Sequence, residues 1–363
     1  MTQRYHGLDF LRATMMLLGV VIHALVPHVT RPNGDWPLPD PARHWTADIL
    51  VIAIHDFRMP LFYVLAGFFG ALLYGRKGLR GMLMNRAQRI LAPLVLFWPP
   101  SVVLAAWILK QTPGSIGLGG EVRVMHFWFL YYLVLFYAVM AVAAPIVPRL
   151  PFAFWRSRWA PPALAMGPAA LMAAMPYGLL ATPRFFWPVH WQVWLVYFFY
   201  FAAGWTLYAH AHRLEELWAP RAWRNTMWSA AAIAASFVTL AREWQFASAI
   251  LSALAGWWMI FGLGGLALRY YRQPHPVARY LADASYWVYI VHIPLVLGIQ
   301  ALLWNRSVHP LAKVTLTLAG TMAASLITYQ LLVRYTPLGV LLNGRRPVRR
   351  EGMIGWGIKA SNP

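Results

Sequence analysis

Stretch after stretch of this chain runs for about twenty residues with scarcely a polar side chain. A segment of that length and character satisfies its backbone by crossing a bilayer as a helix. Such windows fall at approximately 8–28, 53–74, 90–109, 126–147, 161–181, 191–210, 225–241, 245–268, 284–304 and 311–333. The reading is an all-α, polytopic transmembrane helical bundle of about ten spans. The 161–181 window is interrupted by Pro and Gly, and the 225–241 window is short. The loops between windows leave no room for a soluble domain. The first window is expected not to be a cleaved leader, because it carries Asp9 and Arg12 and lacks a small-residue cleavage site.

With 31 Lys and Arg against 11 Asp and Glu, the net charge of +20 could suggest a nucleic-acid partner. The distribution argues otherwise. If both termini are cytoplasmic, most basic residues fall in the cytoplasmic loops, as the positive-inside rule requires. Residues 343–363 continue that pattern as a basic tail, residues 1–342 forming the membrane-embedded unit. The expected surroundings are a lipid bilayer and no nucleic acid. The chain has no cysteine, which removes disulfides, thiol nucleophiles and cysteine metal sites. No His-Glu-x-x-His, Gly-rich phosphate loop or Gly-x-Ser-x-Gly occurs. Neither a metal site nor a tightly bound cofactor is expected.

Arg12 and His23 stand inside the first apolar window, and an ionisable group there is expensive to bury. Eleven helical steps return to within about 20° of the starting direction and rise about 16 Å. The two side chains therefore share one face, spaced so that a polar stripe runs from one membrane edge into the opposite half. The second window opens with His55-Asp56-Phe57-Arg58-Met59-Pro60. His55 and Arg58 enter from the side opposite Arg12, so both can meet His23 at similar depth. The 46–74 stretch exceeds one span, and a short interfacial helix or a kink at Pro60 is expected to absorb the excess. Arg86 and Arg89 share a helix face and could hold a phosphate, although topology alone accounts for both. His292 falls near mid-membrane, either as a site residue or as a bond to a neighbouring helix. His126-Phe127-Trp128 reads as an interfacial aromatic anchor. No Asp or Glu is expected in the middle of a span.

These pieces occur in an order that resembles the acyltransferase family 3 of integral-membrane acyltransferases. The matching residues are Leu8-Asp9-Phe10-Leu11-Arg12 with His23; Phe57-Arg58-Met59-Pro60-Leu61-Phe62 leading to Ala66-Gly67-Phe68-Phe69; Arg86 to Pro93; Trp128-Phe129-Leu130; and Ser285-Tyr286-Trp287 to His292. Ala66 stands where the family commonly has Ser, which puts a hydroxyl role there in doubt. The resemblance implies transfer of an acyl group, succinyl or acetyl, from cytoplasmic acyl-CoA to a hydroxyl of a periplasmic or surface glycan. It implies a bacterial inner membrane, with glycan-synthesis machinery as a further partner. It casts His23 as general base or transient acyl carrier, with Arg12, Arg58 and His55 in the catalytic set. Arg12, Arg86 and Arg89 would bind the donor, while Trp128, Ser285, Tyr286 and His292 would line the acceptor side. The competing reading is a transporter or flippase of a glycan or lipid-linked glycan, which uses the same stripe without covalent chemistry. A catalytically silent partner in a glycan-synthesis complex is a third.

Overall fold

The computed structural model describes residues 5–31, 36–118, 123–273 and 275–344. Among these it is all-helical, with no strand. The α-helices are α1 His6–Leu25, α2 Trp45–Arg86, α3 Ala92–Gln111, α4 Trp128–Ala143, α5 Phe152–Arg156, α6 Ala160–Met172, α7 Trp191–Leu207, α8 Leu214–Trp218, α9 Ala222–Ala241, α10 Gln245–Tyr270, α11 Pro276–Leu303, α12 Pro310–Thr328 and α13 Pro337–Asn343. Residues 345–363, most of the expected basic tail, lie outside the described residues.

Six helical stretches among the described residues are long and apolar enough to cross a membrane, and the protein is a multi-pass membrane protein. The expected count of about ten is not confirmed. One stretch, Trp45–Gln111, has 67 residues, about three times what a single crossing needs. It contains both the 53–74 and 90–109 windows and is broken at Gly78 (φ 64°, ψ −176°), a left-handed φ that suits glycine. The 161–181, 191–210 and 225–241 windows fall on α6, α7 and α9, none of which qualifies as a span. In α6, Pro161 and Pro162 open the helix and it stops at Met172, short of the 3-10 turn at Pro176–Gly178.

Pro60 does not end or divide its helix. The excess length of the second window is taken up because α2 begins at Trp45, where the His44 ring accepts from the Thr46 amide. Asp56 thereby lies eleven residues inside α2 rather than at its edge, and it is buried. Its Oδ1 accepts from the Ser252 hydroxyl on α10 at 2.6 Å. Asp56 thus lies deeper in its helix than the 53–74 window implied, packed inside the bundle.

The bundle is organised around α1, which packs against α2, α10 and α11, while α2 also packs along α7. The α2–α7 seam is close because Gly67 faces the carbonyl of Phe201 and Gly204 faces that of Val64. A Cβ at either position would strike backbone, so this seam is of the small-residue kind that lets membrane helices approach.

Candidate active site

Two groups of polar side chains form at different depths of the bundle, and one helical spacing sets both. α1 and α2 carry their polar residues in opposite order. Along α1, Arg12 and His23 are eleven residues apart; along α2, Arg58 and Phe69 are eleven apart as well. Each interval is about 16 Å of helix. Arg12 meets Phe69, its Cζ lying 5.6 Å from the ring centroid. Arg58 lies against Gly19, one turn before His23, where a Cβ would collide with Nη1. The expected register of the α1 stripe is thus present, and α2 supplies a matching partner at each end.

The group at the Arg12 end is cationic. Arg12 pairs with Asp9 at 3.5 Å. Arg86, in the last turn of α2, donates through Nη2 to the Phe69 carbonyl at 3.2 Å and lies 4.7 Å over the Tyr137 ring. Its Nε is buried without a partner. Arg89 follows in a π-helical turn, Ala87–Leu91, a local irregularity found often at functional sites. It donates to the Leu342 carbonyl at 3.4 Å, and its own carbonyl accepts from the Tyr286 hydroxyl at 2.6 Å. Arg12 and Arg86 are both charged neighbours of Arg89. Three cations gathered with one carboxylate ion-paired to Arg12 form a place for an anion. The Ala66-to-Phe69 motif serves this group through its backbone, since Tyr137 donates to the Ala66 carbonyl at 2.8 Å while Phe69 holds Arg86.

The group at the His23 end contains three imidazoles. His23 on α1 and His292 on α11 lie with ring centroids 5.3 Å apart, and His126, in the turn before α4, lies 4.8 Å from His292. The Tyr289 carbonyl approaches His292 Nδ1 at 2.7 Å. A carbonyl only accepts, so Nδ1 carries the proton and Nε2 holds the lone pair in the neutral ring. The same argument at His126, whose Nε2 faces the Ile290 carbonyl at 3.3 Å, puts the lone pair on Nδ1. Both lone-pair nitrogens are buried without partners, as are His23 Nδ1, Arg58 Nε and the Tyr63 hydroxyl. Arg58 acts electrostatically on His23 and His292 together. Buried polar atoms are nearly always satisfied; five that are not, in one neighbourhood, mark a position prepared for a ligand. No grouping of His, Asp and Glu fit for a metal ion occurs among the described residues.

The sequence-predicted residues divide between these groups. Arg12, Arg86 and Arg89 come together at one end and His23, Arg58 and His292 at the other; Tyr286, expected on the acceptor side, is corrected to the Arg89 end by its hydrogen bond to the Arg89 carbonyl. His55 sits one turn before Arg58 on α2, partly buried. Trp128 is buried, its ring 5.3 Å from Tyr197 and 6.4 Å from Tyr63. Ser285 donates to the Ala282 carbonyl of its own helix at 3.0 Å. His126 had only the expected role of an interfacial anchor, yet it joins the imidazole group; a histidine at the mouth of a predicted span was the available signal. Tyr289, which donates to the His126 carbonyl at 2.7 Å, lies three residues before His292 and was legible as its helix-face neighbour. Tyr63 had no distinguishing sequence signal.

A family model described as an acyltransferase domain, acyltransferase family 3, matches residues 5–330. Glucans biosynthesis protein C of Salmonella schwarzengrund (strain CVM19633) is 24% identical over 386 residues, covering 98% of each chain. The protein of the same name from Salmonella typhi is 24% identical over 386 residues, again with 98% of each chain covered. That from Salmonella typhimurium is 24% identical over 380 residues, covering 96% of this chain and 97% of its own. No solved structure matches the chain.

Proposed function

Because the chain belongs to acyltransferase family 3, we propose that it moves an acyl group, succinyl or acetyl, from acyl-CoA to a hydroxyl of a periplasmic or surface glycan. An osmoregulated periplasmic glucan is the acceptor that best fits the relatives' name. The proposed setting is a bacterial inner membrane with both termini cytoplasmic, beside the machinery that makes the glycan. The observation that carries this reading is the pairing of a cationic group around Arg12 and an unsatisfied imidazole–guanidinium group around His23, two residues spaced by about 16 Å of α1. The first suits the phosphates of CoA; the second suits the transfer itself.

In the proposed reaction, Arg12, Arg86 and Arg89 hold the donor phosphates, and the thioester reaches the His23 end. His23 takes the proton of the acceptor hydroxyl while that oxygen attacks the thioester carbonyl. The C–O bond forms and the C–S bond breaks, and the proton passes to the departing thiolate to give CoA thiol and a glycan ester. Arg58, partly buried beside His23, stabilises the oxyanion that develops on the carbonyl. The lone pairs of His126 and His292 face the same neighbourhood and orient the acceptor hydroxyl.

The test is mass spectrometry of envelope glycans from cells carrying wild-type protein, His23→Ala protein or none. A succinyl or acetyl increment with wild type alone supports the transferase and names the acyl group. A glycan unmodified in all three, with the protein inserted, overturns it. The transport reading has one observation in its favour, the buried Asp56 carboxyl on α2, since intramembrane carboxylates mark proton and substrate paths. It predicts glycan movement without an acyl product or free CoA.

A further inference from the structure

Next to His23 lies a residue that the proposed reaction leaves unused. The Trp36 indole is stacked on the His23 imidazole, centroids 5.2 Å apart and planes within 20°. Trp36 Nε1 donates to Gln300 Oε1 at 3.0 Å, and Gln300 Nε2 donates to the His23 carbonyl at 2.9 Å. Gln300 is buried. The indole is therefore fixed to α1 twice, through its face and through an amide that belongs to α11.

The backbone that carries Trp36 is held more firmly than a connection between two helices requires. Lys313 on α12 donates to both oxygens of Asp40, at 3.0 and 2.8 Å, and both residues are buried, at 1% and 6% exposure. The Pro39 carbonyl accepts from the Trp304 indole at 3.2 Å, and the Pro37 carbonyl from the Ile116 amide at 3.0 Å. The Asp40 amide donates back to Pro27 at 3.1 Å and that of His44 to His28 at 2.9 Å. A buried ion pair is weak grounds for stability, and fixing a geometry is one use to which such pairs are put. The geometry fixed here is the seat of Trp36 on His23.

We infer that Trp36 is a positioning residue for His23, holding the imidazole plane and keeping bulk water from it on the side away from Arg12. Its consequence for catalysis rests on the acyl-transfer reading; the shielding itself does not. If His23 activates a hydroxyl beside a thioester, water is the competing acceptor. It would give its proton to His23, add its oxygen to the acyl carbon and release free acid and CoA thiol without touching the glycan. An indole stacked on the base, with its N–H committed to Gln300, limits that side reaction.

The experiment uses the full-length protein in liposomes, with Trp36→Ala, Trp36→Phe and Gln300→Leu variants. Diethyl pyrocarbonate labelling of His23, quantified on its peptide, is measured beside the ratio of free acid to glycan ester formed from acyl-CoA. Trp36→Ala and Gln300→Leu are expected to raise labelling about fivefold to tenfold, as follows from losing a stacking contact or a buried hydrogen bond. They are also expected to shift product toward free acid, and Trp36→Phe, which keeps a ring on the imidazole, should restore most of both. Labelling of His23 in both loss variants equal to wild type overturns the inference, and Gln300→Leu decides the matter should Trp36→Ala fail to fold. Raised labelling with a wild-type protein that forms no ester keeps the shielding and overturns the acyl-transfer reading.

Discussion

Gly19→Ala separates chemistry from folding at the His23 end. Position 19 lies inside α1 and has ordinary helical φ, so alanine there gains about 1 kcal/mol of helix propensity. The added Cβ meets one thing, the Arg58 guanidinium, and it meets Nη1 at the far end of a flexible side chain. For ordinary carbon-to-heavy-atom contact the guanidinium must retreat by about 1 Å. Arg58 Nε has no partner to be lost, so the retreat leaves no hydrogen bond broken at that atom. A displacement of about 1 Å in a group that stabilises a transition state costs about 10²-fold in rate, equivalent to about 2.7 kcal/mol. Glycan acylation by Gly19→Ala protein in liposomes should therefore fall about a hundredfold while its thermal unfolding is unchanged or slightly later. Gly67→Ala is the control. There the Cβ strikes the Phe201 carbonyl, a backbone atom on another helix, so α2 and α7 must part at a cost of about 1–3 kcal/mol. Its loss should appear in stability. Wild-type activity in Gly19→Ala, or unfolding equal to that of Gly67→Ala, would refute the placement of Arg58 in the reaction.

Arg86→Ala and Arg89→Ala should each raise KM for acyl-CoA about tenfold to a hundredfold, the value of one charge-assisted phosphate contact of about 1.5–3 kcal/mol, with a smaller change in kcat; isothermal titration with CoA checks the binding part. Asp40→Asn or Lys313→Met alone leaves a buried charge unpaired and should cost about 3–5 kcal/mol, whereas Asp40→Leu combined with Lys313→Met should recover most of the loss. A denaturation series in detergent reads the difference. Ser252→Ala removes the hydrogen bond given to Asp56 Oδ1 and should destabilise by about 1–3 kcal/mol; Asp56→Asn, which still accepts from Ser252, should be tolerated. If acyl transfer disappears in Asp56→Asn while stability holds, a proton role for Asp56 replaces the structural one.

What could be read in advance followed from periodicity within single helices. Arg12 and His23 needed only the residues-per-turn of α1, and Arg58 needed only the direction in which α2 runs. Arg86 and Arg89 could be paired from their spacing, whereas Tyr286, expected on the acceptor side, instead bonds the Arg89 carbonyl at the cationic end, a tertiary contact between α11 and the turn after α2 that no helical period shows. The count of spans was not, because α6, α7 and α9 read as apolar windows although proline, brevity or polar residues keep them from qualifying. Asp56 was misjudged by the starting point of α2: moving the helix origin from 53 to Trp45 carries the carboxyl from the edge of the window into the core.

The contacts of His126, Trp36 and Gln300 escape a single-helix reading for a different reason. His126 and Gln300 come to His292 and His23 across a long separation in the chain, and Trp36, though near His23 in sequence, reaches it from outside α1 where helical spacing says nothing. Trp36 arrives through a segment that would read as a Pro-rich connection, where loops are ordinarily tolerant of change. What makes it otherwise is Lys313, more than 270 residues away, which any count of loop charges assigns to the bilayer edge. Placed within α12 and paired with Asp40, that lysine turns the connection into a fixed part of the site. The part of a membrane enzyme that meets its second substrate is thus the part a hydropathy reading sees least, because its specificity is written in tertiary contacts rather than in helical period.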